Sequence, residues 1–149
     1  MIRYFNGYVL FPLLEKAIKR EILSKQRELK TFNQLGIEQQ RQIQKQELVK
    51  MLNFCNEKVP YYKELFKNSG FEISKVEKDI EFIKDLPVLT KDIVREREKD
   101  LRLPNAKHKR KTGGSTGQSV VFSYDDFGLD WTAAINVMAY EMAGCFASR

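Results

Sequence analysis

Lys111-Thr112-Gly113-Gly114-Ser115-Thr116-Gly117-Gln118-Ser119-Val120-Val121-Phe122-Ser123-Tyr124 is the stretch on which the reading of this chain turns. Its first half places three glycines within five residues, Gly113, Gly114 and Gly117, between the hydroxyl side chains Thr112, Ser115 and Thr116. Glycine reaches positive φ without a Cβ clash and lets a ligand approach the main chain closely. Successive backbone N–H groups in such a loop can converge on one anion, with the hydroxyls as further donors. The second half, Ser119–Tyr124, is β-branched and aromatic and predicts a strand. On composition alone, a glycine–serine turn between two strands is the plainer reading of the loop.

Upstream lie Lys107, His108, Lys109, Arg110 and Lys111, a basic run that raises the local concentration of anions. Two familiar nucleotide loops are excluded. A Walker loop needs lysine after its last glycine, where this chain has Gln118 and Ser119. A dinucleotide fingerprint has different glycine spacing and opens a helix, not a strand.

Further out, the pattern is helical. From Ile37 to Val59 the residues Ile43, Leu48, Met51, Leu52, Cys55 and Val59 recur mostly at three- and four-residue steps, and Pro60 ends the stripe. A helix over Tyr61–Ser69 is expected to stop at Gly70, and Asp79–Lys84 reads as a helical turn. In Leu86-Pro87-Val88-Leu89-Thr90-Lys91-Asp92, Pro87 imposes an extended segment and Thr90 offers a helix N-cap. A helix over Lys91–Lys99 follows, then an irregular, basic Leu101–Lys111. Asp125 or Asp126 caps a last helix with the apolar stripe Trp131, Ala134, Ile135, Met138, Ala139 and Met142, stopped by Gly144. The strand at Ser119–Tyr124 has no evident partner, and a lone strand leaves its backbone groups unpaired.

The ordered set resembles the acyl-adenylate-forming superfamily, and within it the phenylacetate–CoA ligase and CapK-like capsular polysaccharide group. The likeness rests on Val59-Pro60-Tyr61-Tyr62 with Leu65-Phe66 and Gly70, then Leu86-Pro87-Val88-Leu89-Thr90-Lys91, then the loop Thr112–Gly117, and spans roughly residues 37–144. It departs after the loop, where many relatives carry proline and often lysine and this chain has Ser119 and Val120.

The resemblance implies an α/β fold: an α-rich N-terminal part plus the first strands and helix of a larger mixed-sheet adenylating domain, here incomplete. Residues 1–36 would form a helical extension and residues 37–149 the adenylating portion. It implies ATP with Mg²⁺, a carboxylic acid substrate, an acyl-AMP and pyrophosphate product, and transfer to CoA or another acceptor, in surface polysaccharide biosynthesis. Thr112, Gly113, Gly114, Ser115, Thr116 and Gly117 would hold the β- and γ-phosphates, with Ser115 and Thr116 making side-chain contacts. No catalytic residue and no metal ligand is assigned. The adenine, ribose and catalytic-lysine segments of the family have no counterpart here, so the chain reads as an N-terminal fragment, inactive alone, whose remainder is encoded downstream or as a separate chain. His108, the single histidine, is expected on a solvated approach to the loop.

Composition bounds the alternatives. With 42% hydrophobic and 31% charged residues among 149, the chain has the make-up of a folded protein with room for one modest core. The net charge of +6 comes from 26 basic and 20 acidic residues interspersed along the chain, which describes a solvated surface. Cys55 and Cys145 stand apart in no metal-binding pattern, and a reducing cytoplasm is expected. Tyr8–Leu14 is apolar but far short of the about 20 residues that span a bilayer. Interfacial contact through Tyr4, Phe5, Tyr8 and Phe11, with Lys16, Lys19 and Arg20 toward headgroups, competes there with packing onto another part of the protein. Two other functions compete with this reading: a non-catalytic module docking on another subunit, and a basic nucleic-acid-binding helical protein. The second wants an aromatic–basic platform or a known motif, and the sequence announces neither.

Overall fold

The computed structural model describes residues 10–103, 106–113 and 119–144. These residues are mostly helical with one two-stranded antiparallel sheet, an α-rich α/β arrangement. The chain divides into two compact units: the described residues before Gly36 together with those from Asp125 onward, and Gly36–Tyr124.

The first unit holds helices α1 (Phe11–Ala17), α2 (Ile22–Gln34) and α7 (Asp126–Met142). Helix α7 starts where Asp125 accepts the Gly128 N–H on its side chain at 2.9 Å. Helix α2 has no capping side chain of its own. Instead its first free amides are served from outside: Leu23 N–H donates to Glu15 of α1 at 2.7 Å, and Glu21 N–H to Asp130 of α7 at 3.0 Å. Two carboxylates thus meet the positive end of the α2 dipole. Lys25 is buried above the rings of Phe127 and Trp131, 4.6 and 5.6 Å from their centroids. Further along, Lys30 pairs with Glu141 at 2.7 Å.

The stripe expected on α7 is therefore rotated. Its buried residues are Asp130 and Ala134, while Ile135 and Met142 of the expected stripe are exposed, the latter at 78%. The cause lies in α2 and the residue leading into it: Arg20, Lys25 and Lys30 meet α7 and so select a partly polar face.

The second unit contains α3 (Ile37–Lys58), α4 (Pro60–Ser69), α5 (Ile73–Lys78), a 3₁₀ turn (Ile80–Asp85), α6 (Lys91–Glu96), β1 (His108–Lys111) and β2 (Val121–Tyr124). Val59 is extended between α3 and α4, and Pro60 occupies the first turn of α4, where a missing N–H costs nothing. Gly70 ends α4 with φ 64°; its N–H reaches Lys67 O, and Phe71 N–H reaches Phe66 O at 3.0 Å. The rings of Phe66 and Phe71 meet at 5.1 Å across this cap, completing a Schellman motif with its hydrophobic contact. Leu52, Phe66 and Val76 form the buried core, wrapped by Leu48, Val49, Tyr62, Leu65, Phe71, Ile73, Ile83 and Leu86.

Thr90 caps α6, its Oγ1 accepting Ile93 N–H at 3.3 Å. The helix stops at Glu96, three residues short of the expected Lys99, and the chain turns through Arg97–Asp100. Arg97 fastens this turn: its guanidinium donates to Glu64 and to Asp100, each at 2.6 Å, and lies over the Tyr61 ring. Tyr61 N–H in turn donates to Asp100 O at 3.1 Å.

The largest difference from the sequence reading concerns the strand said to lack a partner. Val121–Tyr124 pairs antiparallel with His108–Lys111, a segment read as irregular. Four consecutive basic or imidazole side chains carry no strand signature, and pairing with β2 overrides local preference.

Candidate functional site

The register aligns His108 with Tyr124, Lys109 with Ser123, Arg110 with Phe122 and Lys111 with Val121. Beyond the last pair, Thr112 closes the hairpin twice. Its N–H donates to Val120 O, and its Oγ1 accepts the Val120 N–H, both at 2.9 Å. Thr112 and Val120 thereby tie the two strands together at the end of the ladder.

Side chains alternate across a strand, so the two faces of the hairpin differ. His108, Arg110, Phe122 and Tyr124 share one face. The His108 and Tyr124 rings stack at 5.6 Å, Arg110 lies 5.6 Å from the centroid of Tyr124, and Phe122 leans on Tyr124 at 6.1 Å. Lys109 and Lys111 occupy the other face. Lys109, Arg110 and Lys111 are exposed and form no ion pair among the described residues. From Leu101 to Tyr124 there is no Asp or Glu to offset them. The hairpin therefore projects an uncompensated positive field.

Of the six residues assigned to the phosphate loop, two are described. Thr112 stands at the base of the hairpin, its oxygen occupied as an acceptor while its hydroxyl proton remains free to donate. Gly113 follows it outward. Its φ is not in the positive range, and a Cβ there would meet nothing within 4 Å, so the conformational freedom expected of that glycine is unused. Gly114, Ser115, Thr116 and Gly117 lie outside the described residues.

The sequence reading missed two features. One is the aromatic–basic face just described, which needed the partner strand to be recognised first. The other is the Arg97–Glu64–Asp100 cluster, whose hydrogen bonds to Glu64 and then Asp100 push the guanidinium pKa still further above its usual range. Burial raises the Cys55 thiol, and burial followed by the proximity of Cys55 and Tyr61 raises the Tyr62 phenol. These groups lie on α3 and α4 and serve packing. Among the described residues, no three His, Cys, Asp or Glu side chains are grouped to hold a metal ion, and no helix is long and apolar enough to cross a membrane.

Comparison with protein-family models, curated proteins and solved structures finds no match to this chain.

Proposed function

We propose that the hairpin around Thr112–Gly117 binds the polyphosphate tail of a nucleoside triphosphate, as the N-terminal part of an acyl-adenylating ligase of the phenylacetate–CoA ligase or CapK-like kind. The observation that carries this reading is the base of the hairpin, where Thr112 grips Val120 by two hydrogen bonds directly before the glycine- and hydroxyl-rich loop. Fixing the residues that flank a binding segment lowers the ordering cost of binding. The basic β1 strand beside it supplies attraction for three charged phosphates.

In a ligase of this kind a carboxylate attacks the α-phosphorus of ATP, and pyrophosphate leaves with the P–O bond electrons. The loop's task is to orient that leaving group and stabilise its charge. Mg²⁺ would come bound to the nucleotide, since the segment Leu101–Tyr124 offers amides, hydroxyls and cations but no carboxylate. Nothing in the chain is nominated as acid, base or nucleophile, so no ATP–pyrophosphate exchange by this chain is expected. The acyl-CoA or surface-polysaccharide context belongs to the family likeness alone.

The test is a titration of the isotope-labelled chain, with amide shifts of residues 112–120 read against inorganic tripolyphosphate, MgATP and AMP. Saturable shifts with the first two and not with AMP are expected. Absent shifts, or equal shifts with AMP, would remove the reading.

A second reading has one observation in its favour. The His108–Arg110–Phe122–Tyr124 face joins cation and aromatic surface as single-stranded nucleic-acid platforms do. It requires steeply salt-dependent binding of an oligonucleotide that is lost in Phe122→Ala, an arm that tripolyphosphate does not share.

A further inference from the structure

Helix α1 is placed the wrong way round for a helix that serves a core. At about 100° per residue, Leu13, Ala17, Leu10, Leu14, Ile18 and Phe11 fall within an arc of about 160°. All six are exposed, with Leu13 at 60%, Leu14 at 51% and Ile18 at 63%. The opposite side carries Glu15, which is buried because its carboxylate caps Leu23 N–H. A short amphipathic helix is thus tied down by its polar side and turns its apolar side to the surroundings.

The unpaired charges between Leu10 and Arg20 have one sign. Glu15 is the only acid from Leu10 to Arg20, and it is turned inward. Arg20 is neutralised by Asp130. Lys16 and Lys19 are exposed, without an ion pair among the described residues, one flanking the apolar arc and the other just past the helix end. We infer that α1 is an interfacial anchor that lays Leu10, Leu13, Leu14 and Ile18 into an anionic phospholipid surface, with Lys16 and Lys19 at the headgroups.

Apolar insertion flanked by cations is how monotopic helices hold to such surfaces, the lysine stems reaching back to the phosphates. A second copy of the chain fits less well. A symmetric pairing through this face would bring the lysines of both copies together, and a single stripe of two turns falls far short of the about 800 Å² per partner of a stable dimer.

The experiment is vesicle co-sedimentation of the full chain with phosphatidylcholine alone and with phosphatidylcholine containing about 30 mol% phosphatidylglycerol, at low and high salt. Binding is expected to the anionic vesicles, weakening with salt. The Leu13→Glu/Leu14→Glu double variant is expected to lose it by more than about tenfold, and each of Lys16→Gln and Lys19→Gln to weaken it about fivefold. Phe54→Glu, at another exposed apolar position, on α3, is expected to bind as the parent does. Because the substituted side chains are exposed, each variant's thermal unfolding should match the parent and show that the fold is intact. Equal binding to neutral vesicles, no binding, or retention by the double variant overturns the inference. So does a doubled mass in light scattering that the double variant abolishes, which assigns the face to a second copy.

Discussion

Asp130 divides its two carboxylate oxygens between Arg20 and the start of α2: Oδ1 accepts the Arg20 Nε–H and Oδ2 the Glu21 backbone N–H. With only 4% of Asp130 exposed, the pair is desolvated, and removing one partner strands the other. Asp130→Ala should cost about 3 kcal/mol. Asp130→Asn, which still offers an acceptor to Glu21 N–H, should cost about half that. Trp131 is the only tryptophan and sits beside the pair, so urea titrations followed by its fluorescence report on this unit. If Arg20→Met/Asp130→Leu is as unstable as Asp130→Ala, the cost is packing and not an orphaned charge.

In the other unit stability rests on apolar packing. Val76 is wholly buried against Leu52 and Phe66, and Val76→Ala leaves a void in a cluster too small to close over it. The expected loss is about 2 kcal/mol, read from the thermal transition of far-ultraviolet circular dichroism. Met51→Ala, at an exposed position of α3 that the sequence pattern assigned to the same stripe, should stay within about 0.5 kcal/mol of the parent.

Among the described residues three helices are followed by a left-handed residue: glycine at Gly70 and Gly144, lysine at Lys19. Gly70 takes φ 64° after α4, whereas Lys19 takes φ 54° after α1, where Lys19 N–H reaches Lys16 O and Arg20 N–H reaches Glu15 O. A side chain in this region costs about 1 kcal/mol. Gly70→Ala should destabilise by about that amount, for backbone reasons alone, since the added Cβ meets nothing within 4 Å. Lys19→Gly should stabilise the first unit by about 0.5 kcal/mol, part of the gain being offset by the freer unfolded chain. A fall in its unfolding midpoint would show that the lysine side chain contributes contacts the backbone argument ignores.

What the sequence made legible was local. Thr90, Gly70, Pro60 and Asp125 mark helix ends because each acts through its own backbone neighbourhood. What it hid was non-local. His108–Lys111 becomes a strand only through Val121–Tyr124, and the rotated face of α7 follows from Arg20 and Lys25, more than a hundred residues earlier. Of the candidate site, Thr112 is legible as a phosphate ligand by its residue type. Its second role, closing the hairpin onto Val120, depends on a pairing that hydrophobic periodicity does not register.

That role gives Thr112 a test of its own. Thr112→Val removes the acceptor for Val120 N–H and should weaken the hairpin by about 1 kcal/mol, seen as faster hydrogen exchange at Val120. Thr112→Ser keeps the oxygen and should exchange nearly as the parent does. Should both variants exchange alike, the side-chain bond contributes nothing and the β ladder alone defines the base.

Cys55 supplies a pH-dependent prediction. Burial on α3 pushes its thiol above the ordinary cysteine value, so the folded chain keeps the proton over a range where the unfolded chain has lost it. Stability from this group is fully present below the unfolded pKa, about 8.5, and is lost as pH rises from there through the folded pKa. In a Cys145→Ser background, alkylation of Cys55 by iodoacetamide should follow a midpoint displaced to higher pH than that of a free thiol. The urea midpoint should decline over the same alkaline range, and less so in Cys55→Ala. An alkylation midpoint at or below the ordinary thiol value would mean that water reaches this face of α3 and that the thiol is not desolvated.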